Sequence, residues 1–245
     1  MYKRLRLIAA SLIPIFILLV TIHGQVMADE ARVVIENQGW QLVGDLRIPN
    51  TDDSVPAVLM LNKAAGDRHA YTELAKELEA RNIASLRLDL RGHGESINLG
   101  EFIPGEVPRS PLIWDAEADV IAAHEYLKFH PRIDGQCIAI VGGSYSGEEM
   151  AEAGRHNGYA RAYVALSPGS FSDESIAGLD SGQVPWLFIT SRNERFLREI
   201  TAAVQEQSAS VELLIVPGTR HASDILEDRP GLNARIAIWL EHQLR

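Results

Sequence analysis

From Ala31 onward the chain alternates two patterns. Short runs of Val, Ile and Leu, four to eight residues long, read as strands, and longer stretches with apolar residues every three or four positions read as helices. "ARVVIEN" and "QLVGDLRIP" alternate about Gln38 and Gly39 and predict an opening hairpin. The strand "PAVLMLN", helix "YTELAKELEARN", strand "IASLRLDL", helix "DAEADVIAAHEYLKFH" and strand "CIAIVGG" follow. Then come helix "EEMAEAGRH", strands "ARAYVALSP" and "VPWLFITS", helix "FLREITAAVQEQ", strand "SVELLIVPG" and helix "NARIAIWLEHQL". Apolar strands alternating with amphipathic helices predict an α/β fold, a mostly parallel sheet with helices on both faces. Two irregular segments, "INLGEFIPGEVPRSP" and "GSFSDESIAGLDSGQ", follow strands and are rich in Gly, Pro or Ser.

The first thirty residues stand outside this pattern. Lys3, Arg4 and Arg6 precede an apolar run from Leu7 to Ile22 that Pro14 interrupts and that is shorter than the roughly 20 residues of a membrane span. Val26 and Ala28 provide small or modest residues before Asp29, so residues 1–28 read as a signal peptide cut after Ala28. The other reading is a retained N-terminal anchor. Both place the folded part, residues 29–245, outside the cytoplasm, and cleavage leaves a secreted or periplasmic protein with no stable membrane span in the mature form.

Composition narrows the class. With 46% hydrophobic and 23% charged residues among 245, there is apolar material for one substantial core, so a single domain is expected. Cleavage after Ala28 removes Lys3, Arg4 and Arg6 and no acid, so the 23 Lys and Arg become 20 against 33 Asp and Glu, and the net charge moves from −10 to −13. That balance argues against nucleic acid as a partner. The single cysteine, Cys137, falls inside a predicted buried strand and has no partner for an internal disulfide. None of the eight histidines stands at metal-ligand spacing, so neither a metal nor a cofactor is expected.

The candidate chemistry lies in "CIAIVGGSYSGEEM", Cys137 to Met150. Ser144 follows a predicted strand and precedes a predicted helix, at the carboxyl end of the strand, where parallel sheets place their sites. A serine on such a sharp turn needs small residues two before and two after it, and Ser144 has Gly142 and Ser146. Ser146 as nucleophile would be flanked by Ser144 and Glu148, a poorer fit. The run lacks the Gly-Lys-Ser/Thr of a phosphate loop and the Gly-x-Gly-x-x-Gly of a dinucleotide site.

These residues resemble the α/β-hydrolases, and within them the small dienelactone-hydrolase-like and serine-esterase-like members, over nearly all of residues 31–245. The family's Gly-x-Ser-x-Gly elbow reads Gly142-Gly143-Ser144-Tyr145-Ser146 here, with Gly147 one place late. The resemblance implies the order Ser, acid, His. Glu194 matches the acid in the loop after "VPWLFITS", and His221 matches the base in the loop after "ELLIVPG". Taken singly, Glu194 also reads as a helix-start carboxylate and His221 as a surface-loop histidine. Asp173 and Asp224 remain alternative acids, each also suited to a turn or helix cap.

For the oxyanion site the resemblance implies backbone N–H groups of Tyr145 and Ala64. The family's His-Gly-x loop is Asn62-Lys63-Ala64 here, so a side chain replaces the glycine. Lys63 reads either as an exposed lysine or as a cation favouring anionic substrates. "RLDLRGHGES" is similar to the segment after the family's fourth strand. His93 lies before the nucleophile, against the family order, and Asp89, Arg91 and His93 read as residues that hold the loop. With only a short segment between Pro168 and Val184, no large cap is expected, and Phe102, Ile103 and Trp114 are the residues placed to fold over the site. The resemblance thus implies a serine hydrolase cleaving a small ester, thioester or amide through an acyl-enzyme, with Ser144, His221 and Glu194 as triad. An acyltransferase, a peptidase or a non-catalytic binding protein on the same fold stays open, and the oligomeric state is left undetermined.

Overall fold

A computed structural model of the chain describes residues 29–105, 111–157, 160–169, 171–175, 184–207 and 210–245. The segment read as a signal peptide, residues 1–28, lies outside the described residues, as do 106–110 and 176–183 of the two irregular connections.

The strands are β1 (Asp29–Asn37), β2 (Trp40–Ile48), β3 (Val55–Leu61), β4 (Ala84–Leu88), β5 (Ile133–Gly143), β6 (Ala162–Leu166), β7 (Trp186–Ser191) and β8 (Val211–Val216). They form one eight-stranded sheet in the order β1-β2-β4-β3-β5-β6-β7-β8. β1 pairs antiparallel with β2, and β2 with β4. All other pairs are parallel. The hairpin turns at Gln38 and Gly39, both at positive φ (51° and 83°), the backbone signs of a tight two-residue turn.

The helices are α1 (Thr72–Glu79), α2 (Pro111–Trp114), α3 (Glu117–Lys128), α4 (Tyr145–Asn157), α5 (Arg195–Gln207), α6 (Asp224–Glu227) and α7 (Pro230–Leu244). Why they cover both faces is written in β3, where successive side chains point to opposite sides. Ala57, Leu59 and Leu61 join the cluster under α3 and α4, which includes Val120, Ala123, Met150 and Ala153. Val58 and Met60 join the opposite cluster under α1 and α7, with Leu74, Leu78, Ile236 and Leu240. Each fully buried Leu or Ile here contributes about 1.5–3 kcal/mol of transfer free energy. A strand apolar on both sides is stable only between two helical layers, which leaves its carboxyl end as the place for loops.

Two boundaries differ from the sequence pattern. α4 starts at Tyr145, three residues before the run "EEMAEAGRH", because the turn at Ser144 feeds directly into the helix. Cys137 is half-buried, since β5 begins at Ile133 and its first residues lie at the sheet's margin.

Candidate active site

Ser144 sits between β5 and α4 at φ +57°, a left-handed conformation that costs a non-glycine residue roughly 1–2 kcal/mol. The surroundings enforce it. Its N–H donates to the Leu166 carbonyl of β6 (2.9 Å), and its carbonyl accepts from Gly147 N–H (2.9 Å). A Cβ on Gly142 would lie 2.7 Å from the Ser146 carbonyl oxygen, so only glycine fits there. Ser146, in place of the family's glycine, is wholly buried, and its Oγ accepts from Gly143 N–H (2.7 Å) and lies 2.9 Å from the Gly143 carbonyl. Its hydroxyl therefore staples the helix start to the strand end, so the departure from the motif leaves the turn intact.

Glu194 and His221 are brought together from two loops. Glu194 Oε1 lies 2.6 Å from His221 Nδ1. Its other oxygen, Oε2, accepts from Ser191 N–H (2.9 Å) and from Ser167 Oγ (2.7 Å). With Oε2 held by these donors, Oε1 is left to accept from Nδ1–H, which puts the imidazole's lone pair on Nε2. Ser191 Oγ donates to the Arg220 carbonyl (2.6 Å), so the residue that holds Glu194 also holds the chain next to His221. The His221 loop touches the elbow. A Cβ built on Gly143 would lie 3.2 Å from Ala222 Cβ and 3.5 Å from Ser223 N.

The alternative acids are placed elsewhere. Asp173 is exposed. Asp224 forms an ion pair with Lys63 (3.4 Å). Lys63 is four-fifths buried and its charge meets a carboxylate, so it is not the exposed lysine that its sequence allows. Ala64 N–H and Tyr145 N–H, the two oxyanion candidates, have no acceptor among the described residues. At the first position of α4 an N–H has no intrahelical partner by geometry.

Asp89 and Arg91 hold the β4 turn through buried pairs, Asp89 with Arg68 (2.6 Å) and Arg91 with Asp119 (2.6 Å). His93 Nδ1 meets the Arg91 carbonyl (2.9 Å), and its ring stacks between Phe102 (5.0 Å) and Tyr145 (5.6 Å). Phe102 thereby ties its connection to the start of α4, while Ile103 and Trp114 stay half exposed. Among the described residues no group of His, Cys, Asp or Glu is placed to hold a metal ion, and no helix is long and apolar enough to cross a membrane.

One turn beyond Ser144 a cavity of about 370 Å³ opens beside Glu148, Glu149 and Glu152 of α4, with Glu117 and the rings of Trp114 and Phe171. Burial, reinforced by the charges of Glu148, Glu117 and Glu152, pushes the Glu149 carboxyl up to about 8 from its ordinary 4.5. The folded protein then binds one proton more than the unfolded chain between those values, so this group's contribution is full below 4.5 and is lost as pH rises through 8. Glu149→Gln is therefore expected to melt with the wild type at pH 5 and above it at pH 9, by on the order of a few kcal/mol. Equal shifts in Tm at both pH values would refute this.

Sequence reading missed Ser167 and Ser191, and it named Asn62 only as the first residue of the oxyanion loop, without its buried hydrogen bonds. Each is the polar residue that ends an otherwise apolar run ("VALS", "LFITS", "VLMLN") at the carboxyl edge of the sheet, and that position was the available signal.

No family model matches the chain. It is 32% identical over 156 residues to an uncharacterized protein of Mycobacterium tuberculosis, a match covering 63% of this chain and half of that protein. Among solved structures it is similar to a dienelactone hydrolase of Anabaena variabilis (TM-score 0.70, 19% identity, 89% of this chain and 100% of that one). Est1E of Butyrivibrio proteoclasticus (0.65, 16%, 85% and 98%) and a Pyrococcus furiosus esterase (0.68, 17%, 89% and 94%) are also similar. The chain has the α/β-hydrolase fold.

Proposed function

We propose that the chain is an exported serine hydrolase that cleaves a small carboxylic ester, thioester or amide. The observation that carries this reading is the 2.6 Å contact of Glu194 with His221 beside a serine at φ +57°. His221 Nε2 takes the Ser144 proton as Oγ attacks the acyl carbon. The N–H groups of Tyr145 and Ala64 receive the oxyanion. The tetrahedral intermediate collapses with His221 returning the proton to the leaving group, and water then repeats the sequence on the acyl-enzyme and frees Ser144. The similar Pyrococcus furiosus protein is an esterase and the Anabaena variabilis one a dienelactone hydrolase, which supports the reaction class for this chain.

The test is labelling of residues 29–245 by a fluorophosphonate probe, beside Ser144→Ala and His221→Ala. Labelling of the wild type that both substitutions remove is expected. A folded wild type that stays unlabelled would overturn the reading in favour of a binding protein. Export rests on the sequence of residues 1–28, and the mature protein is expected to begin at Asp29. An intact N-terminus on exported protein would assign the segment as an anchor instead.

A further inference from the structure

We propose that Asn62 is the positioning residue of the oxyanion hole, a role that rests on the acyl-enzyme reading above. Asn62 ends the β3 run and is wholly buried. Its amide spans two loops. Oδ1 accepts from Leu90 N–H at the end of the β4 segment (2.8 Å), and Nδ2 donates to the Lys63 carbonyl (2.9 Å). Gly66 N–H donates to the same carbonyl (3.0 Å), so both of its lone-pair directions are engaged.

A trans peptide is planar, and its N–H points opposite to its C=O. Fixing the Lys63 carbonyl therefore fixes the direction of Ala64 N–H, a backbone donor with no acceptor among the described residues. The family's glycine leaves such a peptide free to choose its orientation. Here the position is Lys63, the chain reverses at Ala65 (φ +55°), and the Lys63 side chain is held by Asp224 beyond the His221 loop. Asn62 holds the peptide from one end and Lys63 ties the loop to the base from the other. A preset donor acts on charge that develops only in the transition state, so its loss belongs to kcat.

Asn62→Asp keeps the side chain's shape and the acceptor for Leu90 N–H but turns an oxygen toward the Lys63 carbonyl. Asn62→Ala removes both bonds without adding charge. Both variants are measured with p-nitrophenyl acetate and with phenylboronic acid, whose serine adduct is tetrahedral and anionic. The expected result is kcat lowered about 10²-fold with KM changed less than threefold, and boronate affinity lowered in step with kcat/KM. A folded variant within twofold of wild-type kcat, or one whose loss lies in KM, would overturn the role. So would failure of both variants to fold, which assigns Asn62 to the fold alone. Wild-type protein that the fluorophosphonate does not label would instead remove the hydrolase reading, and this role with it.

Discussion

Glu194→Gln is expected to lower kcat by about 10³- to 10⁴-fold with KM little changed and the fold intact. The size follows from which groups surround the carboxylate. An amide presents one oxygen and one NH₂ where the carboxylate presents two acceptors. The Ser191 N–H that meets Oε2 is a backbone donor and cannot rotate away. The amide oxygen must take that place, so the NH₂ faces His221 Nδ1. Nδ1 then has to accept, the imidazole proton moves to Nε2, and the base no longer has a lone pair for the Ser144 proton. A structural role for Glu194 would show as a loss of Tm at unchanged kcat. Activity within tenfold of wild type would identify a different acid, and Asp224, already paired with Lys63, would be next to replace.

The alternation of strand and helix was plain from periodicity because the sheet is buried on both sides. Val58 and Met60 need one helical layer and Leu59 and Leu61 the other, so the whole run had to be apolar. The order of Ser144, Glu194 and His221 was equally visible, since each lies a few residues past such a run. What the pattern could not carry was the set of contacts between loops. Nothing in "VALSP" indicates that Ser167 reaches an acid twenty-seven residues later. Nothing in "LNKAAG" says that Lys63 meets Asp224. Those partners are fixed by the strand order β3-β5-β6-β7-β8, which brings distant carboxyl ends side by side. The helix start at Tyr145 was hidden for a similar reason, because "GGSYSG" has turn composition and the bonds that set the start, Ser144 N–H to Leu166 of β6 and Ser146 Oγ to Gly143, are tertiary and local contacts that composition does not show.

The largest stability effect is expected at Asp89, a residue with no direct part in the chemistry. Its carboxylate is wholly buried and accepts from Arg68 N–H (2.7 Å), Arg68 Nη1 (2.6 Å) and Glu95 N–H (2.9 Å). Both of its oxygens face donors, so Asn at this position turns an NH₂ toward an N–H in either orientation. Arg68, itself almost wholly buried, retains Asp45 and Glu95 but loses its most deeply buried counter-charge. Breaking a buried pair from one side costs about 3–5 kcal/mol, a large part of the roughly 5–15 kcal/mol that holds a domain folded. Asp89→Asn should therefore lower the free energy of urea unfolding by about 3 kcal/mol. Arg32→Ala, which removes a half-exposed pair with the same Glu95, should cost under about 1 kcal/mol. Similar costs for the two would mean that burial does not set the strength of this network. The turn that Asp89 anchors also carries Leu90, whose N–H holds Asn62, so activity of Asp89→Asn should fall at temperatures below its unfolding transition.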